Sequence, residues 1–149
     1  MDDVSFVHLA TDDKQQLESF LSEIDNLYTP RLTYKTDLAV FAEKILSNGH
    51  VICACSNGQI LGAVTFYSND LAGRTAYISL VGVKENYTNM HIASKLVHQA
   101  LAYIRTTSMI KCGIHTNNVI AKHIYEKIGF NIISVDKSNP PRYYLEYIL

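Results

Sequence analysis

A chain of 149 residues with 48% hydrophobic and 18% charged content carries enough apolar material to close one core without disulfide or metal staples, and too much to stay disordered. A formal net charge of −1 gives no sign of the basic face that nucleic-acid binding needs. The opening MDDVSFVHLATDD is acidic and lacks the basic stretch and apolar run of a secretory leader, and no apolar run reaches membrane-span length.

One domain over residues 1–149 is expected, since no linker, repeat or low-complexity tract interrupts the pattern. Residues 6–9 read as a short strand. Leu17, Phe20, Leu21, Ile24 and Leu27/Tyr28 recur at helical spacing and stop before Pro30. A second helix carries Leu38, Phe41, Ala42, Ile45 and Leu46 on one face, and Asn48-Gly49 predicts a left-handed stop. Residues 50–55 and 59–67 flank Ser56-Asn57-Gly58, a hairpin signal. Residues 75–83 are rich in β-branched and aromatic side chains, as a strand should be. Residues 92–104 form the longest predicted helix, followed by a strand at 109–115 and a helix at 118–128 that stops at Gly129. Two last strands, 131–135 and 142–148, close the chain.

The order β-α-α-β-β-β-α-β-α-β-β makes the three consecutive strands antiparallel, and the strand–helix–strand step from 75 to 115 a parallel crossover. The expected fold class is therefore α/β (α+β), a mixed, mostly antiparallel central sheet with helices on both faces. Cys53, Cys55 and Cys112 form no framework and read as small core residues in a reducing cytoplasm. His8, His98 and His123 make no ligand cluster. His91 and His98 lie two turns apart without a third ligand, so no metal is expected.

Two segments carry chemistry. Residues 77–96 pass from a buried strand through a short turn into a helix, whose first N–H groups lack internal partners and sit at the positive end of the helix dipole, a ready anion site. In residues 118–130, Asn118, Ala121 and Tyr125 fall on one helix side, with Gly129-Phe130 as the stop. By residue type alone, Asn118 suits a helix cap and Tyr125 a core aromatic.

Together these segments resemble the GNAT family of N-acetyltransferases over nearly the whole chain. Asn118-x-x-Ala121-x-x-x-Tyr125-Glu-Lys-x-Gly-Phe130 is the most specific piece, and Tyr143-Tyr-Leu-Glu-Tyr147 in the last strand is similar too. The resemblance implies acetyl-CoA as acyl donor, its pantetheine arm entering a gap between the strands at 75–83 and 109–115. Backbone groups of Val81 and Val83 would pair with the arm, and Asn118 and Ala121 would meet it from the other wall. It further implies direct transfer to an amine, with an N–H near Val81 facing the developing oxyanion and Tyr125 as general acid to the departing thiolate.

The family's pyrophosphate loop reads Arg/Gln-x-x-Gly-x-Gly/Ala, whereas this chain has Thr88, Asn89, Met90, His91, Ile92 and Ala93. Only Ala93 fits; His91 stands where glycine lets backbone approach phosphate. In one reading, side chains of Thr88, Asn89, His91 and Ser94 and the N–H groups from Asn89 to Ser94 hold the pyrophosphate. In the other, the chain is a binding or assembly module on the same fold with impaired cofactor binding. The candidate base is His115, with Asp70 and Glu85 as further carboxylates. Tyr28, Arg31, Tyr77 and Ser79 are candidate acceptor contacts, and Lys35 adds a second cation to the 28–36 connection. The expected acceptor is a primary amine of a small molecule, such as an amino sugar or amino-acid derivative. A monomer or homodimer is expected, with no nucleic-acid or membrane partner.

Overall fold

The computed structural model describes residues 3–149, which form a seven-stranded sheet of order β1-β2-β3-β4-β5-β7-β6. The strands are β1 (Ser5–His8), β2 (His50–Ser56), β3 (Gln59–Tyr67), β4 (Thr75–Val83), β5 (Lys111–Thr116), β6 (Asn131–Asp136) and β7 (Arg142–Ile148). The helices are α1 (Lys14–Ile24), α2 (Leu38–Asn48), α3 (Ile92–Ile104) and α4 (Val119–Ile128). Every strand pairing is antiparallel except β4 with β5. The β2–β3 hairpin turns on Asn57 and Gly58, both at positive φ, as a tight turn of matching twist requires.

Each sheet face buries its own helix pair. Leu96, Val97, Ala100, Leu101 and Ile104 of α3 pack on Val64, Phe66, Ile78, Cys112, Ile114 and Leu145. On the opposite face Leu17, Phe20, Leu21 and Ile24 of α1 and Ala42 and Ile45 of α2 cover Val51, Cys53, Ala63 and Leu80. Ile78 and Leu80, two residues apart on one strand, thus belong to opposite faces. A bulge accounts for this: Phe66 pairs with Ile78 but its neighbour Thr65 pairs with Leu80, so Ser79 is the extra residue and the faces swap beyond it. The buried cysteines are packing residues, and burial pushes the Cys53 and Cys112 thiols up to about 12.

Three sequence expectations shift. α1 ends at Ile24 and tightens into a 3-10 turn over Asp25–Leu27, after which the Asp25 carboxylate accepts from the Thr33 N–H (2.8 Å) and hydroxyl (2.9 Å), folding the connection back on itself. Gly49 is not left-handed: its φ is −130°, and a glycine stands there because a Cβ would meet the Phe66 carbonyl oxygen at 2.6 Å and Ile45 Cδ1 at 2.7 Å. The fifth strand begins at Lys111 rather than at 109.

Leu101 is fully buried between α3 and the sheet. Leu101→Ala is expected to cost about 2–5 kcal/mol through lost transfer energy and a residual cavity. Denaturant unfolding followed by circular dichroism checks this as a lower midpoint at unchanged slope.

Candidate active site

β4 and β5 pair only from Thr75–Lys111 to Ile78–Ile114, after which the two strands part. β4 continues to Val83 with β3 alone beside it. Lys84 N–H donates to the Leu61 carbonyl (2.8 Å), so alternate residues of β4 turn their peptide groups toward β3 and those between turn them away. Val81 and Val83 are the residues turned away, into the opening. A contact from the other side agrees: the Tyr28 hydroxyl donates to the Val81 carbonyl at 2.6 Å.

The segment after α1 therefore spans the opening. Tyr28 reaches Val81 on one wall, and the next residue, Thr29, offers its carbonyl to Asn117 Nδ2 (2.6 Å) just past β5 on the other. Gly82 makes room for this, because a Cβ there would meet the Tyr28 oxygen at 2.8 Å and Ile24 Cδ1 at 2.4 Å. Tyr125, on α4, is 6% exposed and packs near Phe130 in the α3-side core. Tyr28 and Tyr125 interact electrostatically; both hydroxyls are pushed well above the usual tyrosine range, by burial first, and Tyr28 further by Tyr125. Asn118 caps α4, its Oδ1 accepting from Ala121 N–H at 3.0 Å. Ala121 lies partly buried against the same core.

At the far end of β4, a 3-10 segment (Glu85–Met90) leads into α3 through His91 at φ 59°, ψ 23°. The backbone thus takes the left-handed turn a glycine would take, with a histidine in it. The first bond of α3 is Lys95 N–H to the His91 carbonyl (3.1 Å), which leaves the N–H groups of Ile92, Ala93 and Ser94 without helical partners. Thr88 does not offer its hydroxyl outward as expected: it donates to the Glu85 carbonyl at 3.1 Å. Gap-facing peptide groups and a bare helix start beside them suit a ligand with an amide-bearing arm and an anionic end.

The model of the acetyltransferase (GNAT) family matches residues 15–130. The chain belongs to that family. It is an N-acetyltransferase. A search of curated proteins finds no match. Among solved structures, a GNAT-family acetyltransferase from Streptococcus pneumoniae superposes with TM-score 0.79 at 18% identity, covering 99% of both chains. Aminoglycoside 6'-acetyltransferase type Ii gives TM-score 0.78 at 16% identity over 97% of this chain and 96% of its own. A protein assigned as a streptothricin acetyltransferase, from Bacillus anthracis str. Ames and in complex with acetyl coenzyme A, gives TM-score 0.61 at 26% identity over 68% of this chain and 64% of its own.

In this acetyltransferase α1 and α2 pack over β2 and β3, and further along the same face β4, β5 and β7 carry polar rings instead. Tyr77 Oη lies 2.7 Å from His115 Nδ1, and the His115 ring sits 4.7 Å from that of Tyr144. The Tyr144 hydroxyl donates to Glu146 (2.7 Å), which Lys111 pairs at 3.3 Å. His115 is held below the usual histidine range by burial and then by the Arg142 guanidinium, which keeps its imidazole neutral. Other candidates fall elsewhere. Ser79 is the bulge residue, its hydroxyl 2.7 Å from that of Thr65. Asp70 caps the turn before β4 by accepting from Gly73 N–H (2.8 Å), and Arg31 is exposed on the connection. Sequence reasoning did not single out Asn117 or Gly82, and it met Tyr144 and Glu146 only within the Tyr143–Tyr147 run, without a role for either. The only local signal was the alternation Arg142, Tyr144, Glu146, which puts three polar side chains on one face of β7.

No helix of the described residues is long and apolar enough to cross a membrane, and no group of three or more histidine, cysteine or acidic side chains among them could hold a metal.

The strained backbone at position 91 and the two neutral histidines can each be tested. His91→Gly removes the left-handed strain of a side-chain-bearing residue and is expected to raise stability by about 1 kcal/mol, read as a higher denaturation midpoint. His50 is held below its usual range, as His115 is, by burial and then by His8. With both histidines harder to protonate folded than unfolded, their contribution is present above about pH 6.5 and lost as pH falls. Thermal unfolding should therefore shift downward between pH 7 and pH 5, and less steeply in His115→Gln.

Proposed function

We propose that this acetyltransferase moves the acetyl group to a primary amine of a small molecule, such as an amino sugar or amino-acid derivative, by direct transfer at the opening between β4 and β5. The observation that carries the reading is the Val81 peptide turned into that opening, with Tyr125 buried beside it and a polar aromatic floor leading up to it. The aminoglycoside acetyltransferase among the structural neighbours supports an amine on a compact polar molecule.

Val81 and Val83 offer gap-facing N–H and C=O groups to the pantetheine arm. The N–H groups of Ile92, Ala93 and Ser94, with Asn89, Met90 and His91 in the turn before them, receive the pyrophosphate. The helix start keeps its partial positive charge whatever side chain occupies position 91, so the unusual loop retains its main attraction. Asn118 spends its carbonyl on the cap and keeps its amide donors for the arm, with Ala121 beside it. When bound, acetyl-CoA supplies an acyl group activated as a thioester. The Val81 N–H faces the acyl oxygen as charge develops there, and one such donor is typically worth about 3–4 kcal/mol of barrier.

Two groups manage the protons. Burial keeps the Tyr125 hydroxyl protonated, so it has a proton to give to sulfur. A positioned acid of this kind contributes on the order of a hundredfold or more. His115, neutral and anchored through Nδ1 to Tyr77, takes the proton released by the amine. Tyr28, Tyr77 and the ring of Tyr144 line the approach.

Calorimetric titration with acetyl-CoA is expected to show saturable binding, and a thiol-release assay over amino sugars, amino acids and polyamines to show turnover with at least one. Absence of heat at high micromolar cofactor would instead leave a non-catalytic module on this fold. Tyr125→Phe should lower kcat by about a hundredfold while leaving the calorimetric Kd for acetyl-CoA unchanged.

A further inference from the structure

The oxygen of Tyr28 is constrained by its own bond. A carbonyl can only accept, so in the 2.6 Å contact with Val81 the single Tyr28 proton is committed to that carbonyl. A phenolic oxygen bonded in this way keeps lone pairs and has no proton left to offer. Among the described residues nothing donates to it. The ring is fixed from three directions: Gly82 underneath, Ile24 beside it at the end of α1, and the Asn117 tie on the adjacent Thr29 carbonyl. Burial keeps the phenol un-ionised, so the oxygen is a neutral acceptor.

The position of this acceptor is set by the same bond. It touches the carbonyl of Val81, the residue whose N–H faces the acyl oxygen during transfer. It approaches from the α1 side of the sheet, since the Gly82 face it covers is the one that meets Ile24. That is the face on which the Tyr77–His115–Tyr144 floor lies uncovered. Tyr125 stands across the opening with its proton uncommitted to any partner among the described residues. The two tyrosines thus offer opposite halves of the hydroxyl group, one a lone pair and the other a proton.

We propose that Tyr28 positions the attacking amine: its oxygen, locked as a donor to Val81, accepts a hydrogen bond from an N–H of the acceptor and so turns the nitrogen lone pair toward the acyl carbon. This rests on the acetyl-transfer reading of the opening. It also gives a reason for selectivity. An amine nucleophile still carries an N–H while its lone pair attacks, whereas an alcohol that has surrendered its proton to a base has none to offer.

The test uses binding alone and needs no identified acceptor. Three probes are titrated: acetyl-CoA, coenzyme A S-alkylated with a CH2–C(=O)–NH–ethyl group, and the matching ethyl ester, in which oxygen replaces the N–H. The wild-type chain is expected to bind the amide about tenfold more tightly than the ester, the scale of one buried hydrogen bond with its partner left unpaired. Tyr28→Phe should reduce that ratio to about one. Asn117→Ala, which cuts the tie on Thr29 but keeps the hydroxyl, should retain the preference. A merely structural Tyr28 would weaken all three probes alike and leave the ratio untouched. A ratio that persists in Tyr28→Phe, or that is absent from the wild type, overturns the proposal while leaving acetyl-CoA binding intact. Failure of all three probes to bind the wild type overturns the acetyl-transfer reading and this one together.

Discussion

The parting of β4 from β5 after Ile78 and Ile114 is the constraint on which the rest of the molecule depends. A parallel pair zipped to its end would satisfy the peptide groups of Val81 and Val83 inside the sheet and leave nothing to grip a ligand. The bulge at Ser79 sets the facing of the residues beyond it. It turns Leu80 and Gly82 toward α1 and leaves Val81 and Val83 packed toward the α3 side, while β3 still holds β4 on its other edge. One inserted residue therefore does two jobs: it bends the strand and it decides which side chains flank the gap.

The segment after α1 bridges the gap in this chain. Tyr28 and Thr29 hold opposite walls through bonds of 2.6 Å each, and the Asp25–Thr33 contacts shape the loop that presents them. A carbonyl with two lone pairs tolerates a second donor, so the Tyr28 bond and a ligand amide are compatible at Val81. The other edge is set by His91, which adopts a glycine-like backbone at the start of α3. The loop has thus kept the fold's geometry while changing its side chain, and the cost falls on backbone strain rather than on the direction of the N–H groups.

Much of this was legible in the sequence where the signal was local. The helix from Asn118 to Gly129, with its cap and stop, and the alternating strands around the Asn57-Gly58 turn depend on neighbours a few residues apart, and the structure matches them closely. The element order likewise led to the mixed sheet with helices on both faces. The remainder depends on pairings that spacing does not encode. Tyr28 meets Val81 across 53 positions, Asn117 meets Thr29 across 88, and the Tyr144–Glu146 corner joins His115 only because β7 inserts between β5 and β6. Ser79 reads as a candidate acceptor contact, and its place as the bulge residue is hidden, since a bulge leaves no mark in period-two alternation. Gly49 after Asn48 reads as a left-handed stop, whereas the glycine is there for the close approach of Phe66.

The central claim is that Val81 and Val83 turn N–H groups without a strand partner into the opening, and that the pantetheine arm completes them. Amide hydrogen exchange resolved at single residues tests it most directly. In the free protein the Val81 and Val83 N–H groups should exchange faster than those of Leu80 and Gly82, which face β3, and saturating acetyl-CoA should slow the first pair selectively. Equal protection of all four in the free protein, or no change on adding the cofactor, would contradict the account.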